Sequence, residues 1–278
     1  MAARLKGESL AFFLAIGRDQ GQRFCIYHPP GEPCRGRVLH IHGFAEEMNK
    51  SRRMSALQAR DLARHGFAVL QIDLFGCGDS DGEFGDATWT QWLADLTAGS
   101  AYLAREHDAP LTLWAQRAGC LLATDLAESL GETCQTLFWQ PMNSGETQLQ
   151  QLLRLKQMAD LFAGTAIARQ PSVKERLNSG ETVEIAGYAL SANLARSLAH
   201  ARLRPPRASS KGFWFELSTH AKDNCSPALQ RTAEEWRLAG FQLQTRSLTG
   251  PQFWQSQEIE EAHSLIEAST RSLLGSAA

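Results

Sequence analysis

The chain lacks any apolar run approaching the ~18 to 20 residues that a helix needs to cross a bilayer, which excludes an integral helical membrane protein. It also lacks an excess of charge: 28 Lys and Arg nearly balance 30 Asp and Glu, for a formal net charge of −2 over 278 residues. That balance gives no long-range positive field with which to gather a polyanion, so a dedicated nucleic-acid binder is not expected. The six cysteines (Cys25, Cys34, Cys77, Cys120, Cys134 and Cys225) are scattered and form no C-x-x-C pair, which fits neither a zinc site nor a disulfide scaffold. Reduced thiols and a cytoplasmic setting are the expectation. Internal repeats and low-complexity tracts are absent too. The apolar stretch Leu10 to Gly17 follows Glu8 and precedes Arg18 and Asp19, with no small-residue cleavage site, so it reads as an early strand rather than a leader.

What is present is a core: 43% of residues are hydrophobic and 21% charged, a composition that folds rather than staying disordered. Short apolar strands alternate with helical periods. Strands are expected at Phe24 to His28, Arg37 to His42, Phe67 to Leu74, Leu111 to Trp114, Thr136 to Gln140, Gly212 to Leu217 and Phe241 to Ser247. Helices are expected at Arg52 to His65, Trp89 to His107, Ala118 to Leu130, Pro227 to Gly240 and Glu258 to Leu274. The Pro/Gly-rich turn after His28 predicts an antiparallel entry into the sheet, and the later alternation predicts a mostly parallel sheet with helices on both faces. From Gly145 to Arg204 helix-like stretches take over, at Leu149 to Phe162 and Tyr188 to Leu203. This predicts an α/β core of residues 1–144 and 205–278, with eight strands and a helical cap, 145–204, inserted after the sixth.

In such sheets reactive groups collect at the carboxyl ends of the strands, so the loops that follow them carry the information. The first is His42-Gly43-Phe44, where a glycine lets backbone N–H groups approach a developing oxyanion. His40 and His42 read as residues of one strand rather than a metal pair. The second is Asp73-Leu74-Phe75-Gly76-Cys77-Gly78-Asp79-Ser80-Asp81-Gly82, a turn-forming segment. Strand-H-G-F, helix, strand-D-x-x-G-x-G-x-S-x-G resembles the front half of the α/β-hydrolase superfamily, and the resemblance extends over nearly the whole chain. It implies an α/β-hydrolase fold and a second loop that is architectural.

The third loop departs from that pattern. A hydrolase presents G-x-S-x-G after this strand, its serine on a sharp turn; this chain has Ala115-Gln116-Arg117-Ala118-Gly119-Cys120, with Arg117 in the serine's place. A guanidinium stays protonated and cannot attack a carbonyl. The resemblance puts the acid at Asp223 and the histidine at about Gln252, and glutamine cannot act as a general base. His263 reads as a surface histidine. Cys120 reads as a small core residue, and the carboxylate of Asp223 would raise the thiol pKa of Cys225. Losing either the serine or the histidine of such a unit costs about 10⁶ in turnover.

The segment His40 to Met54, the W-A-Q-R-A-G elbow, Phe138 to Gly145 and Gly250-Pro251-Gln252-Phe253-Trp254 resemble one bacterial family, the exosortase A system-associated hydrolase 2 proteins. That resemblance implies a link to exopolysaccharide production and supplies no substrate. Three readings stay open. In the first, the site binds a small acyl or anionic molecule, with Arg117 as anchor beside Gln116, Ala118, Gln252, His42, Gly43 and Phe44. Against it stands an internal ion pair of Arg117 with Asp223. The second is an ester or thioester hydrolase with a non-standard nucleophile or water activated near Asp223. The third is a scaffold whose cap contacts a protein of the same pathway, which an exposed apolar stripe on the Leu149 to Phe162 helix would favour. No loop carries a ligand cluster or phosphate-cradling fingerprint that would indicate a metal or organic cofactor.

Overall fold

In the computed structural model of the chain, the structure describes residues 8–17, 20–163, 171–207, 211–220 and 224–275. Eight strands form one sheet: β1 (Leu10–Ala15), β2 (Gln22–His28), β3 (Gly36–Ile41), β4 (Phe67–Ile72), β5 (Leu111–Gln116), β6 (Cys134–Trp139), β9 (Lys211–Ser218) and β10 (Gln242–Thr249). Their order is β1-β2-β4-β3-β5-β6-β9-β10. The β1/β2 and β2/β4 pairs are antiparallel and the other five pairs are parallel. The antiparallel entry is therefore present, but β2 pairs with β4, which lies between β2 and β3. Every residue of β3 and β5 is buried, as central strands covered on both faces require.

Helices cover both faces. Leu39 and Ile41 of β3 point into one core with Leu96 and Leu103 of α2 (Trp89–Glu106), Leu121 of α3 (Gly119–Leu130) and Trp236 of α7 (Pro227–Leu238). Val38 and Trp114 alternate to the other face, packing with Met54 and Leu62 of α1 (Glu46–Arg64) and Leu265 of α8 (His263–Leu274). Between β6 and β9 the chain makes α4 (Gly145–Phe162), α5 (Val173–Asn178), the antiparallel hairpin β7 (Val183–Ile185) and β8 (Tyr188–Leu190), and α6 (Ala192–His200).

Three boundaries differ most from the expectation, the first two for a local reason. Helix α1 begins at Glu46 rather than Arg52: no side chain caps it, and its first turn instead carries Glu46 and Glu47, whose charge suits the helix amino end. The stretch Tyr188 to Leu203 is a strand followed by a shorter helix, because Ala186 and Gly187 both take positive φ (50° and 83°) and close a two-residue hairpin. Helix α8 starts at His263, five residues later than expected.

One buried charge pair ties the early sheet to a helix. Arg23 on β2 sits 2.8 Å from Asp95 on α2, both side chains at 0% exposure. The Arg23 guanidinium also lies 5.0 Å from the Phe75 ring centre, and Asp95 accepts from the Phe75 N–H at 2.8 Å. Burial pushes the Asp95 carboxyl up, and the bonds from Arg23 and Phe75 oppose that. Removing one partner strands the other without water, so Arg23→Met should lower unfolding stability by about 3 to 5 kcal/mol. A denaturant midpoint within error of wild type would contradict this.

Candidate functional site

Arg117 follows directly on β5 and adopts φ 54°, the left-handed region that L residues other than glycine seldom occupy. Its N–H donates to the Trp139 carbonyl at 2.9 Å, and the Arg117 carbonyl accepts from the Cys120 N–H at 3.1 Å. The chain thus makes a sharp strand-to-helix turn at Arg117. Gly119 is required here, since a Cβ at that position would come within 2.3 Å of the His42 carbonyl oxygen.

The Arg117 side chain turns to internal partners. Its Nε and Nη2 each donate to Glu47 Oε1 at 3.0 Å, and Nη2 donates also to Gln151 Oε1 at 3.0 Å. The guanidinium carbon lies 5.4 Å from the Trp254 ring centre. The two paired side chains are only 11% and 16% exposed, so solvent screens the pair weakly. Three segments meet on this one cation: the first turn of α1, helix α4 and the loop after β10. Glu47, Gln151 and Trp254 were not singled out from sequence. A signal existed, because a buried arginine requires a carboxylate and Glu46-Glu47 follows the His42-Gly43-Phe44 loop.

The other predicted site residues divide. His42, Gly43, Phe44 and Ala118 come together around a cavity of about 10 Å³, whose wall does not include Arg117, Gln116 or Gln252. About 10 to 15 Å³ holds a single water, so this space admits no acyl group. Aromatic rings fill what surrounds it: Phe44 packs edge-on to Phe84 at 5.5 Å and to Trp92 at 5.7 Å, and Tyr188 of β8 closes on Phe84 at 5.1 Å. Tyr188 also accepts a hydrogen bond from Asn49 on α1 at 2.7 Å, which fastens the hairpin to that helix.

Gln252 is committed within its own region. Its Nε2 donates to the Leu217 carbonyl at 3.4 Å and its Oε1 accepts from Gln255. Gln116 is buried at 2% exposure, with neither amide atom hydrogen-bonded among the described residues. Asp223 lies outside the described residues, and so does any pairing of it with Arg117. His263 is exposed and pairs with Glu261 at 3.1 Å, as a surface histidine. Cys120 is fully buried, and burial raises its thiol well above the ordinary range. Cys225 is pushed up to about 11, by burial first and Glu216 second. Neither thiol is primed for attack, and no cluster of three or more metal-ligating side chains occurs among the described residues.

The glycine-rich loop after β4 is held by internal contacts. Asp73 takes a two-pronged ion pair from Arg52, at 2.9 and 3.3 Å, and Ser80 links the Phe24 N–H (2.9 Å) to the Asp73 carbonyl (2.5 Å). His42 Nδ1–H donates to the Gly43 carbonyl at 2.7 Å while Nε2 accepts from the Leu74 N–H at 3.4 Å, a pattern that only this neutral tautomer satisfies.

With the geometry in view, comparison with known proteins places the chain. The model of the serine aminopeptidase S33 family matches residues 32–184, more than half of the length. The chain belongs to this family. Solved structures similar to it include Est1E from Butyrivibrio proteoclasticus with ferulic acid bound, 18% identical at TM-score 0.66 over 95% of this chain and 98% of that one. A thermostable carboxyl esterase from Bacillus coagulans is 12% identical at TM-score 0.65, over 97% of this chain and 99% of the other. Proline iminopeptidase from Mycobacterium smegmatis is 13% identical at TM-score 0.62, over 96% and 99%. At these identities the likeness establishes the α/β-hydrolase fold. A sequence search of curated proteins returned no match.

Two outcomes follow. His28, His40 and His42 are all held below the usual imidazole range, in each case chiefly by burial, while Asp73 opposes the shift at His42. The unfolded chain binds protons at these positions below about pH 6.5 and the folded chain resists them, so their contribution is complete above that pH and lost as pH falls below it. Stability should therefore fall as pH drops from 6.5 to 5, and fall less steeply in His40→Gln, since the His40 imidazole is held furthest below the ordinary range; equal slopes would refute this. For the elbow pair, a double-mutant cycle of Arg117→Ala and Glu47→Ala should return a coupling of about 1 to 3 kcal/mol. Additive single effects in denaturant unfolding would show that the pair is not formed.

Proposed function

We propose that this member of the serine aminopeptidase S33 family is non-hydrolytic and works by binding, its triad degenerate at the serine position (Arg117) and the histidine position (Gln252). The observation that carries this reading is the pair of Arg117 with Glu47, 3.0 Å apart at the elbow. A permanently charged side chain occupies the nucleophile's place, its charge is neutralised internally, and the space beside the oxyanion loop is the size of one water. The resemblance to exosortase A system-associated proteins supports a bacterial, cytoplasmic setting linked to exopolysaccharide production.

Binding of a small acyl or anionic molecule at Arg117 would require it to displace Glu47. A protein partner from the same pathway, met through the cap at 145–204, has a more specific support. On α4, Leu155, Met158, Leu161 and Phe162 lie at helical spacing and are 59%, 51%, 62% and 85% exposed, an apolar stripe of the kind that marks contact surfaces. No helix among the described residues is long and apolar enough to cross a membrane.

The test is turnover of a panel of short- and long-chain acyl esters and thioesters by wild type, Arg117→Ser and Asp223→Ala. The expected outcome is no hydrolysis above background by any of the three, since a serine restored at position 117 still has no base. Wild-type activity that Asp223→Ala removes would overturn the reading.

A further inference from the structure

We propose that the cleft between α1 and strands β2, β4 and β3 is a binding site for an uncharged, ring-sized molecule carrying hydroxyl or amide groups. Its volume is about 160 Å³. An apolar cavity of about 150 Å³ accepts a benzene ring, so one six-membered ring with a substituent is the matching size. The cleft shares only His42 with the small cavity beside the elbow, and it rests on none of the triad positions. It therefore stands whether or not the chain hydrolyses esters.

The inner wall is polar and buried: Ser55, His40, His42 and Asp73 are 2%, 4%, 6% and 8% exposed. The rim, formed by Phe24, Ile26, Ala56 and Gln71, is half-buried, with Arg52 exposed, so the space opens to solvent along the side of α1. Charge in the cleft cancels. Arg52 and Asp73 satisfy one another at 2.9 Å, and burial keeps both imidazoles neutral. A charged ligand would have to break that ion pair or enter without a counter-ion.

The hydrogen-bonding groups that remain are specific. Ser55 Oγ and His40 Nε2 lie 3.2 Å apart, an arrangement that can donate a hydrogen bond to a ligand hydroxyl or accept one from it. Gln71 accepts from His28 Nε2 at 2.9 Å through Oε1, which leaves its amide N–H groups for a ligand acceptor. Phe24, Ile26, Met48 and Ala56 supply apolar surface for the faces of a ring. The Ser55 and His40 pair does not make this a catalytic centre. Ser55 lies inside α1, where neighbouring backbone N–H groups are used by the helix, so no donors converge on an oxyanion.

Titrations with phenol, glucose and benzoate, followed by protein NMR shifts, test the proposal. Saturable binding of phenol or glucose is expected, perturbing residues that line the cleft, with benzoate at least tenfold weaker; which of the two binds tells an aromatic from a saturated ring. Ala56→Trp, a rim change that removes no buried group, should abolish binding in a protein with wild-type melting. Ser55→Ala should weaken it about three- to tenfold, as loss of one neutral hydrogen bond would. No saturable binding of phenol or glucose at tens of millimolar, binding unchanged in Ala56→Trp, or equal affinity for benzoate would overturn it.

Discussion

Everything near the elbow follows from placing a permanent positive charge on a sharp turn inside a nearly closed fold. The residue at position 117 is held in a left-handed conformation by its strand and helix neighbours, whatever its side chain. A serine there would be small, neutral and free to be activated. An arginine must find a carboxylate, and it finds Glu47 in the first turn of α1, then Gln151 on α4 and the Trp254 face. The start of α1, the seat of α4 and the loop after β10 thus converge on one guanidinium. The elbow keeps a sharp left-handed turn and carries an ion-paired guanidinium.

The same logic redistributes the space in the molecule. Phe44, Phe84, Trp92 and Tyr188 close around the His42-Gly43-Phe44 loop, where about 10 Å³ remains. On the α1 face of the sheet, by contrast, short side chains such as Ser55 and Ala56 leave about 160 Å³ beside β2 and β4. The Arg52 and Asp73 pair borders that larger space, and Gly78 permits it: a Cβ there would fall 1.9 Å from Asp73 Oδ2. The loop that looks purely architectural in sequence therefore also shapes a cleft.

Much of the fold was legible because buried parallel strands leave unmistakable apolar runs, and all eight strands of the large sheet stand near their expected positions. Elements without such a signature were not. The first turn of α1 has no capping side chain, and the β7 and β8 hairpin turns on Ala186-Gly187 rather than a stronger turn pair. In the site, the place of Arg117 on the turn after β5 was legible, since the flanking strand and helix fix its register. The partner of Arg117 was not, because Glu47 is 70 positions away in sequence and only the packing of α1 against the elbow brings it near. Asp223, read as the acid, lies outside the described residues.

The most direct measurement is the intact mass of the wild-type protein after prolonged exposure to a serine-directed fluorophosphonate. With Arg117 at the elbow and its guanidinium held by Glu47, the mass should stay unchanged, beside a serine esterase that gains one adduct per chain. A stoichiometric adduct on the wild-type chain would reveal an activated nucleophile and contradict the account.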